Sequence, residues 1–358
     1  MNLRLGRFGR QESACAVGLA ALISGIFSVN VSDTFAQGNV CYMATAAGAL
    51  LALLLLRLVD GAMVRQGAPE LSHLLAGGLK TLALPLVAGL VLSAALPLFR
   101  FTLVMERYIF VEADYVPIVL YLLPVLLLLV LRGMECVGRM AKLLLLPGAL
   151  AWLLTLLLAS PAFALYHLFP LFSPCFSTFL DQTGSALLRF LAPGLSLLVA
   201  GRGCQGQGNA RKSVDLGLLL GGAGAFSLHL GLGLTFFGPD MASLSAPVYC
   251  MTMAARQERL GLRLDMLVLF LWVATGLVGA AFYLYAAALL LCRTMAVEDL
   301  RPVGALLVLL CMGLVLLFNF DSDEVLFAVR LVYRWGYLLL LVPLGLLWGR
   351  SLFLRRRV

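Results

Sequence analysis

Residues 132–147 read R-G-M-E-C-V-G-R-M-A-K-L-L-L-L-P, and the chain then stays apolar to Ser160 before closing on Y-H-L-F-P-L-F at 166–172. Arg132, Arg139, Lys142 and Glu135 stand at the mouth of a run long enough to cross about 30 Å of hydrocarbon. Its apolar residues are continuous rather than alternating, which is the signature of a helix and not of a half-buried strand. In lipid only helices and closed barrels satisfy every backbone group, so a continuous run commits this segment to a spanning helix.

The rest of the chain repeats that reading. Of its 358 residues 62% are hydrophobic and 12% charged, and the mean hydropathy is +1.01. A soluble domain carries about 25% charged residues, so water is not the main solvent of this chain. Ten apolar spans are predicted, at roughly 12–34, 38–59, 76–104, 113–132, 135–159, 179–201, 212–238, 263–292, 301–319 and 327–349. The third and eighth are long enough to imply tilt or extension past the bilayer. The fold class is therefore all-α and polytopic, within one permease-like unit over 1–358.

The net charge of +8 is distributed as a topology signal and not as a nucleic-acid surface. The N-terminus, the 57–70 and 202–212 loops, the 132–142 and 293–301 turns and the C-terminal tail hold 17 of the 26 Lys and Arg. With ten spans all six segments fall on one side, the cytoplasm, together with both termini. The segment over 240–263 carries Arg256, Arg259 and Arg263 against Glu258 and Asp265, and reads as an amphipathic helix on the outer surface. Arg4, Arg7 and Arg10 ahead of the first span mimic a signal peptide, but the many following spans favour an uncleaved first helix.

Ten spans divide into 12–159 and 179–349. Five being odd, the second set starts on the opposite side of the membrane, the condition for an inverted repeat. In such folds ligands bind near the midplane where the first helix of each repeat is broken. Ser24, Gly25, Ile26, Phe27 and Ser28 offer one break, and Ala192, Pro193 and Gly194 another, since proline lacks the donor a helix needs. Freed N–H groups there suit a carboxylate. The bland reading is that these glycines and prolines serve close helix packing.

Arg189 lies deep in the sixth span, where a cation costs at least about 2.5 kcal/mol. It reads either as an anion clamp or as half of a structural pair with Asp181. Ser93, Trp272 and Thr275 sit at mid-depth and line a cavity or merely pack. His229 is the one membrane-embedded histidine, a proton relay or, more simply, a satisfied core imidazole. Catalysis has no support: H-E-x-x-H, G-x-S-x-G and paired intramembrane aspartates are all missing from the sequence. No cofactor or metal motif is found. Cys41, Cys175 and Cys250 share the outer side, with no spacing that argues for a disulfide.

Three stretches, in order, resemble the spore germination permease family, the B-subunits of nutrient germinant receptors within the amino acid–polyamine–organocation transporter superfamily. They are Gly133-Met134-Glu135-Cys136-Val137-Gly138-Arg139 with Leu168-Phe169-Pro170; Glu258-Arg259-Leu260, Asp265 and Trp272 with Tyr283 and Tyr285-Ala286-Ala287; and Pro343-Leu344, Trp348 and Arg355-Arg356-Arg357. The match departs in the first span, where Ile23-Ser24-Gly25-Ile26-Phe27-Ser28-Val29-Asn30 lacks one Gly and the Pro of the usual family form. The resemblance implies a fold like that of the leucine transporter and a small nutrient ligand, most often an amino acid. It also implies a larger membrane-anchored A-subunit and a C-subunit lipoprotein as partners, in the inner membrane of a spore. Three functions follow as alternatives: a nutrient-sensing receptor subunit, a proton-coupled amino acid transporter, or a structural subunit without a ligand.

Overall fold

The computed structural model of the chain describes residues 9–27, 41–68, 70–76, 80–110, 114–169, 176–201, 209–236, 247–254, 264–320 and 323–354. The helices among them are α1 (Arg10–Phe27), α2 (Cys41–Arg65), α3 (Leu71–Ala76), α4 (Ala83–Val104), α5 (Tyr115–Arg132), α6 (Met134–Ala159) and α7 (Phe176–Val199). They continue with α8 (Asn209–Thr235), α9 (Pro247–Ala254), α10 (Leu264–Met295), α11 (Leu300–Phe318), α12 (Asp323–Trp335) and α13 (Leu338–Leu354). Among the described residues there is no strand.

Among the described residues eight segments are long and apolar enough to cross a membrane: α2, α4 with its flanking turns, α5, α6, α8, α10, α11, and α12 with α13. α1 and α7 complete the ten spans. They are the two whose polar residues dilute the apolar run, Arg10 and Glu12 in one and Asp181, Gln182 and Arg189 in the other. Both are packed inside the bundle, with Ala14 to Ile26 and Ala186 to Val199 largely buried. The outer helices instead bare leucines at helical spacing, as on α6 at Leu143, Leu146, Leu150, Leu153 and Leu157. Soluble monomers do not expose apolar surface on this scale, whereas a lipid-facing helix requires it. The chain is an integral membrane protein.

Packing fixes the relative directions of the first helix of each five. Gly217 meets Ala14 and Val17, Gly221 meets Gly18 and Ala21, and Gly25 meets Ala225, so α1 and α8 run parallel. Arg57 pairs with Asp215 and Asp60 with Arg211, while Thr45 bonds His229, so α2 runs against α8. Gly48 abuts Ala186 and Gly194 abuts Leu56, so α2 runs with α7. α7 is therefore antiparallel to α1, the relation of an inverted repeat.

Local signals set the ends. Gly9 donates its N–H to Glu12 Oε2 at 2.9 Å, the carboxylate half of a capping box ahead of α1. Asp299 accepts the Arg301 N–H at 3.0 Å to start α11. Gly133 alone joins α5 to α6 at φ +90°, a conformation that glycine reaches without strain. The charged stretch quoted above is thus a tight hairpin whose Glu135 and Arg139 pair with each other on its exposed face. It orients the span and holds no buried charge.

Several expectations change. The first span is helical to Phe27, and residues 28–40 lie outside the described part, as does Ser28. α1 runs through Ser24-Gly25 to Phe27 and α7 through Pro193-Gly194 as continuous helix, so among the described residues neither pair interrupts its helix. The physical reason is close neighbours: with both helices enclosed, packing holds the helical path that Gly and Pro would otherwise release. The interruptions fall elsewhere. The tenth span is divided at Gly336-Tyr337, and α4 ends in a widened turn over Met105–Ile109. Of the surface helix expected over 240–263, α9 is described, and 240–246 and 255–263 are not. Cys41 and Cys250 are free thiols, and Cys175 lies outside the described residues.

Candidate functional site

The C-terminal part of α1 is the centre of a buried polar cluster. Partners on α2, α8 and α10 bond to it. From α8, His229 Nε2 lies 2.9 Å from the Gly25 carbonyl. Its Nδ1 lies 2.6 Å from Thr45 Oγ1 on α2, and that hydroxyl is also 2.8 Å from the Cys41 carbonyl. A carbonyl can only accept, so Nε2 carries the proton that reaches Gly25. From α10, Tyr283 donates to the Ala20 carbonyl at 3.1 Å and meets the Ser24 hydroxyl at 2.9 Å. Ser24, Thr45, His229 and Tyr283 are all buried, and these bonds satisfy them.

α7 contributes the opposite character. Arg189 is only 7% exposed, its Nε is unpartnered, and among the described residues no carboxylate pairs with it. Asp181, the alternative partner read from sequence, binds Arg334 at 2.9 Å instead. The electrostatic neighbours of the Arg189 guanidinium are Cys41 and Tyr333, and His229 also lies within its field. Pro193 has no N–H to give the Arg189 carbonyl, so this residue also lacks its usual i+4 backbone donor. The site thus combines a satisfied polar cluster on α1 with one desolvated and unneutralised cation on α7. Such a cation attracts a small anion, and a carboxylate fits a guanidinium bidentately.

The sequence-predicted residues divide between these roles. Ser24, Gly25 and Arg189 belong to the cluster or its rim, and Ile26 is buried beside them. Gly25 offers its carbonyl, not open space: a Cβ there would lie 2.5 Å from Ala225 Cβ. Gly194 is likewise a packing position, where a Cβ would fall 2.2 Å from Leu56 Cδ1. Ala192 and Pro193 are fully enclosed, and the Ala192 carbonyl accepts from Ser196 Oγ at 2.9 Å. Phe27 is the final residue of α1, and its side chain is outside the described part.

Ser93 and Thr275 turn their hydroxyls back to their own helices. Ser93 donates to the Gly89 carbonyl at 2.7 Å, and Thr275 lies 2.9 and 3.0 Å from the Trp272 and Leu271 carbonyls. Trp272 is buried, one turn before Gly276, which rests on Ile23 of α1.

Reading by residue type missed Thr45, Tyr333 and Arg100. Arg100 stands on α4 with Nε donating to Tyr333 Oη at 3.1 Å and its guanidinium 5.3 Å from that ring's centroid. The rule that singled out Arg189 applies equally here. Arg100 escaped it because it falls near the end of a long span, where a cation looks like an interfacial anchor.

Comparison with known proteins agrees with this architecture. MHP1, a nucleobase-cation-symport-1 family transporter solved in a closed conformation with bromovinylhydantoin bound, superposes with a TM-score of 0.65. The match covers 100% of this chain and 82% of that one at 16% identity, which shows a shared transporter fold of the leucine-transporter class. No curated protein matches the chain. A family model described as spore germination protein matches residues 80–324, from the start of the α4 span to the start of α12. With ten packed spans and more than half its length matched, the chain belongs to the spore germination protein family.

Proposed function

We propose that the chain is the membrane-embedded nutrient-binding subunit of a germinant receptor, and that it binds a small carboxylate-bearing nutrient, an amino acid, beside Arg189. It changes nothing covalently; occupancy is the signal. The observation that carries this reading is the buried Arg189 guanidinium with no carboxylate partner among the described residues. Removing a cation from water without a counter-charge is costly, and sites that tolerate it are characteristically functional. A ligand carboxylate supplies the missing charge. The Gly25–His229–Thr45 and Ser24–Tyr283 bonds then hold α1 as a fixed wall.

In this reading the chain sits in a spore inner membrane with both termini in the cytoplasm. The family supports an A-subunit and a C-subunit lipoprotein as its partners. Proton-coupled transport is the weaker alternative, since both nitrogens of His229 are engaged and arginine does not titrate. The structural-subunit alternative draws on a specific observation: the space at Gly25 and Gly194 is taken by Ala225 and Leu56.

The test is the unfolding temperature of the purified full chain against a panel of amino acids, sugars and nucleosides. A ligand of the folded state adds about 2.7 kcal/mol at a hundredfold excess over its Kd. A shift confined to one or a few amino acids is expected. No shift with any compound would support the structural subunit instead.

A further inference from the structure

The outward face of α12 does not suit lipid. The crossing segment to which α12 belongs begins at Phe327. Val329 and Tyr333 turn inward and are buried, and Tyr333 Oη accepts from Arg100 Nε of α4 at 3.1 Å. The opposite arc carries Phe327, Arg330, Leu331, Arg334 and Trp335, all exposed. At helical spacing these five share one face. Arg330 and Arg334 stand three and seven residues into the crossing segment, about 5 and 10 Å along its axis. By contrast, the bared arc of α6 from Leu143 to Leu157 carries leucines and no charge.

The two charges are unequally met. Arg334 binds Asp181 of α7 at 2.9 Å, with its guanidinium 5.5 Å from the Trp335 ring centroid. Among the described residues no carboxylate pairs with Arg330, and Arg334 one turn away repels it. Charged groups within a membrane turn to the interior of a bundle and pair there, because hydrocarbon offers them no partner. The bundle of this chain lies behind Val329 and Tyr333, and the two arginines look away from it. Their interior must come from another molecule. A second copy facing this one would set Arg330 against Arg330, since Asp181 is already taken. Lipid headgroups are a poor cover, because Phe327 stands on the same arc one turn nearer the end of the crossing segment.

We infer that this face of α12 packs against a membrane-spanning helix of a different protein, which presents a carboxylate to Arg330 and apolar side chains to Phe327 and Leu331. A guanidinium among exposed aromatic and aliphatic side chains is the composition of an interface anchor, and it pairs a carboxylate bidentately. A chain that bound no nutrient at Arg189 would have the same face to cover, so this partner does not depend on the ligand reading.

The experiment introduces a photocrosslinker into the full chain in its native membrane, as Leu331→p-benzoylphenylalanine, with Leu146→p-benzoylphenylalanine on α6 as the lipid-facing reference. Irradiation should give a discrete protein adduct from position 331 and lipid adducts alone from position 146. Mass spectrometry should place the crosslink in a spanning segment of another protein, with an Asp or Glu within one turn. Arg330→Glu should lower the adduct yield at least about tenfold, the effect of reversing one charge of an interfacial pair, and Arg330→Lys should lower it less. Both variants should unfold in detergent at the wild-type temperature. A lower unfolding temperature overturns the inference by giving Arg330 a role within its own chain. An adduct of two copies of this chain overturns it, as do lipid adducts alone at position 331. A partner segment without an acid, or a yield indifferent to Arg330→Glu, overturns it equally. The response to amino acids is read separately and stands or falls without these results.

Discussion

Glu70→Gln is expected to lower the stability of the protein by about 3–5 kcal/mol, the usual consequence of leaving one member of a buried ion pair unmatched. Glu70 is fully buried, and Arg293 at the end of α10 is 11% exposed and in direct contact with its Oε2. Ser72 completes the arrangement, accepting from Arg293 Nη1 at 2.5 Å and donating to Glu70 Oε2 at 3.1 Å. The pair ties the start of α3 to α10, which packs against α1 and carries Tyr283. The amide has the carboxylate's shape without its charge, so the guanidinium stays desolvated and unneutralised. Denaturant unfolding in detergent measures the loss. Glu70→Leu combined with Arg293→Met should recover more than half of it, since an apolar pair of similar volume removes both charges. A single-variant loss under about 1 kcal/mol would mean that water reaches the pair.

Gly221→Leu should be nearly as damaging. A Cβ at Gly221 would lie 2.5 Å from the Gly18 carbonyl oxygen, 2.7 Å from Ala21 Cβ and 3.2 Å from the Leu22 nitrogen. Two of these are backbone atoms of α1, so relief requires the helices to separate. Overpacking costs about 1–3 kcal/mol where side chains can adjust, and here they cannot. Separation also pulls Gly25 from His229, so the ligand response should fall with stability. Gly345→Leu on α13 is the matched control, since nothing lies within 4 Å of its added Cβ. Equal stability of the two variants would show that the α1–α8 seam is looser than its glycines imply.

Apolar run length made the spans legible in sequence, because lipid leaves the backbone few choices. The charge pattern of the loops and the odd count per repeat then gave the inverted arrangement. The site was read less well, for identifiable reasons. Gly25 and Pro193 were taken as breaks on intrinsic preference alone, but their helices are enclosed on all sides and packing overrides that preference. Ser93 and Thr275 were flagged as polar at mid-depth, yet a hydroxyl in a helix finds its own i−3 or i−4 carbonyl first. Arg189 was legible because a deep cation is expensive wherever it falls. Its surroundings were not, since Cys41, His229 and Tyr333 come from three other helices and share no sequence spacing with it.

The central claim is that Arg189 is kept for a ligand and not for the fold, and the stability of Arg189→Gln without and with an amino acid ligand tests it most directly. A buried cation with no counter-charge burdens the empty protein by at least about 2.5 kcal/mol. The account therefore predicts that Arg189→Gln unfolds no lower than the wild type when empty, and gains nothing from the amino acid that stabilises the wild type. An empty variant several kcal/mol less stable than the wild type, or one that still responds to that amino acid, would contradict it.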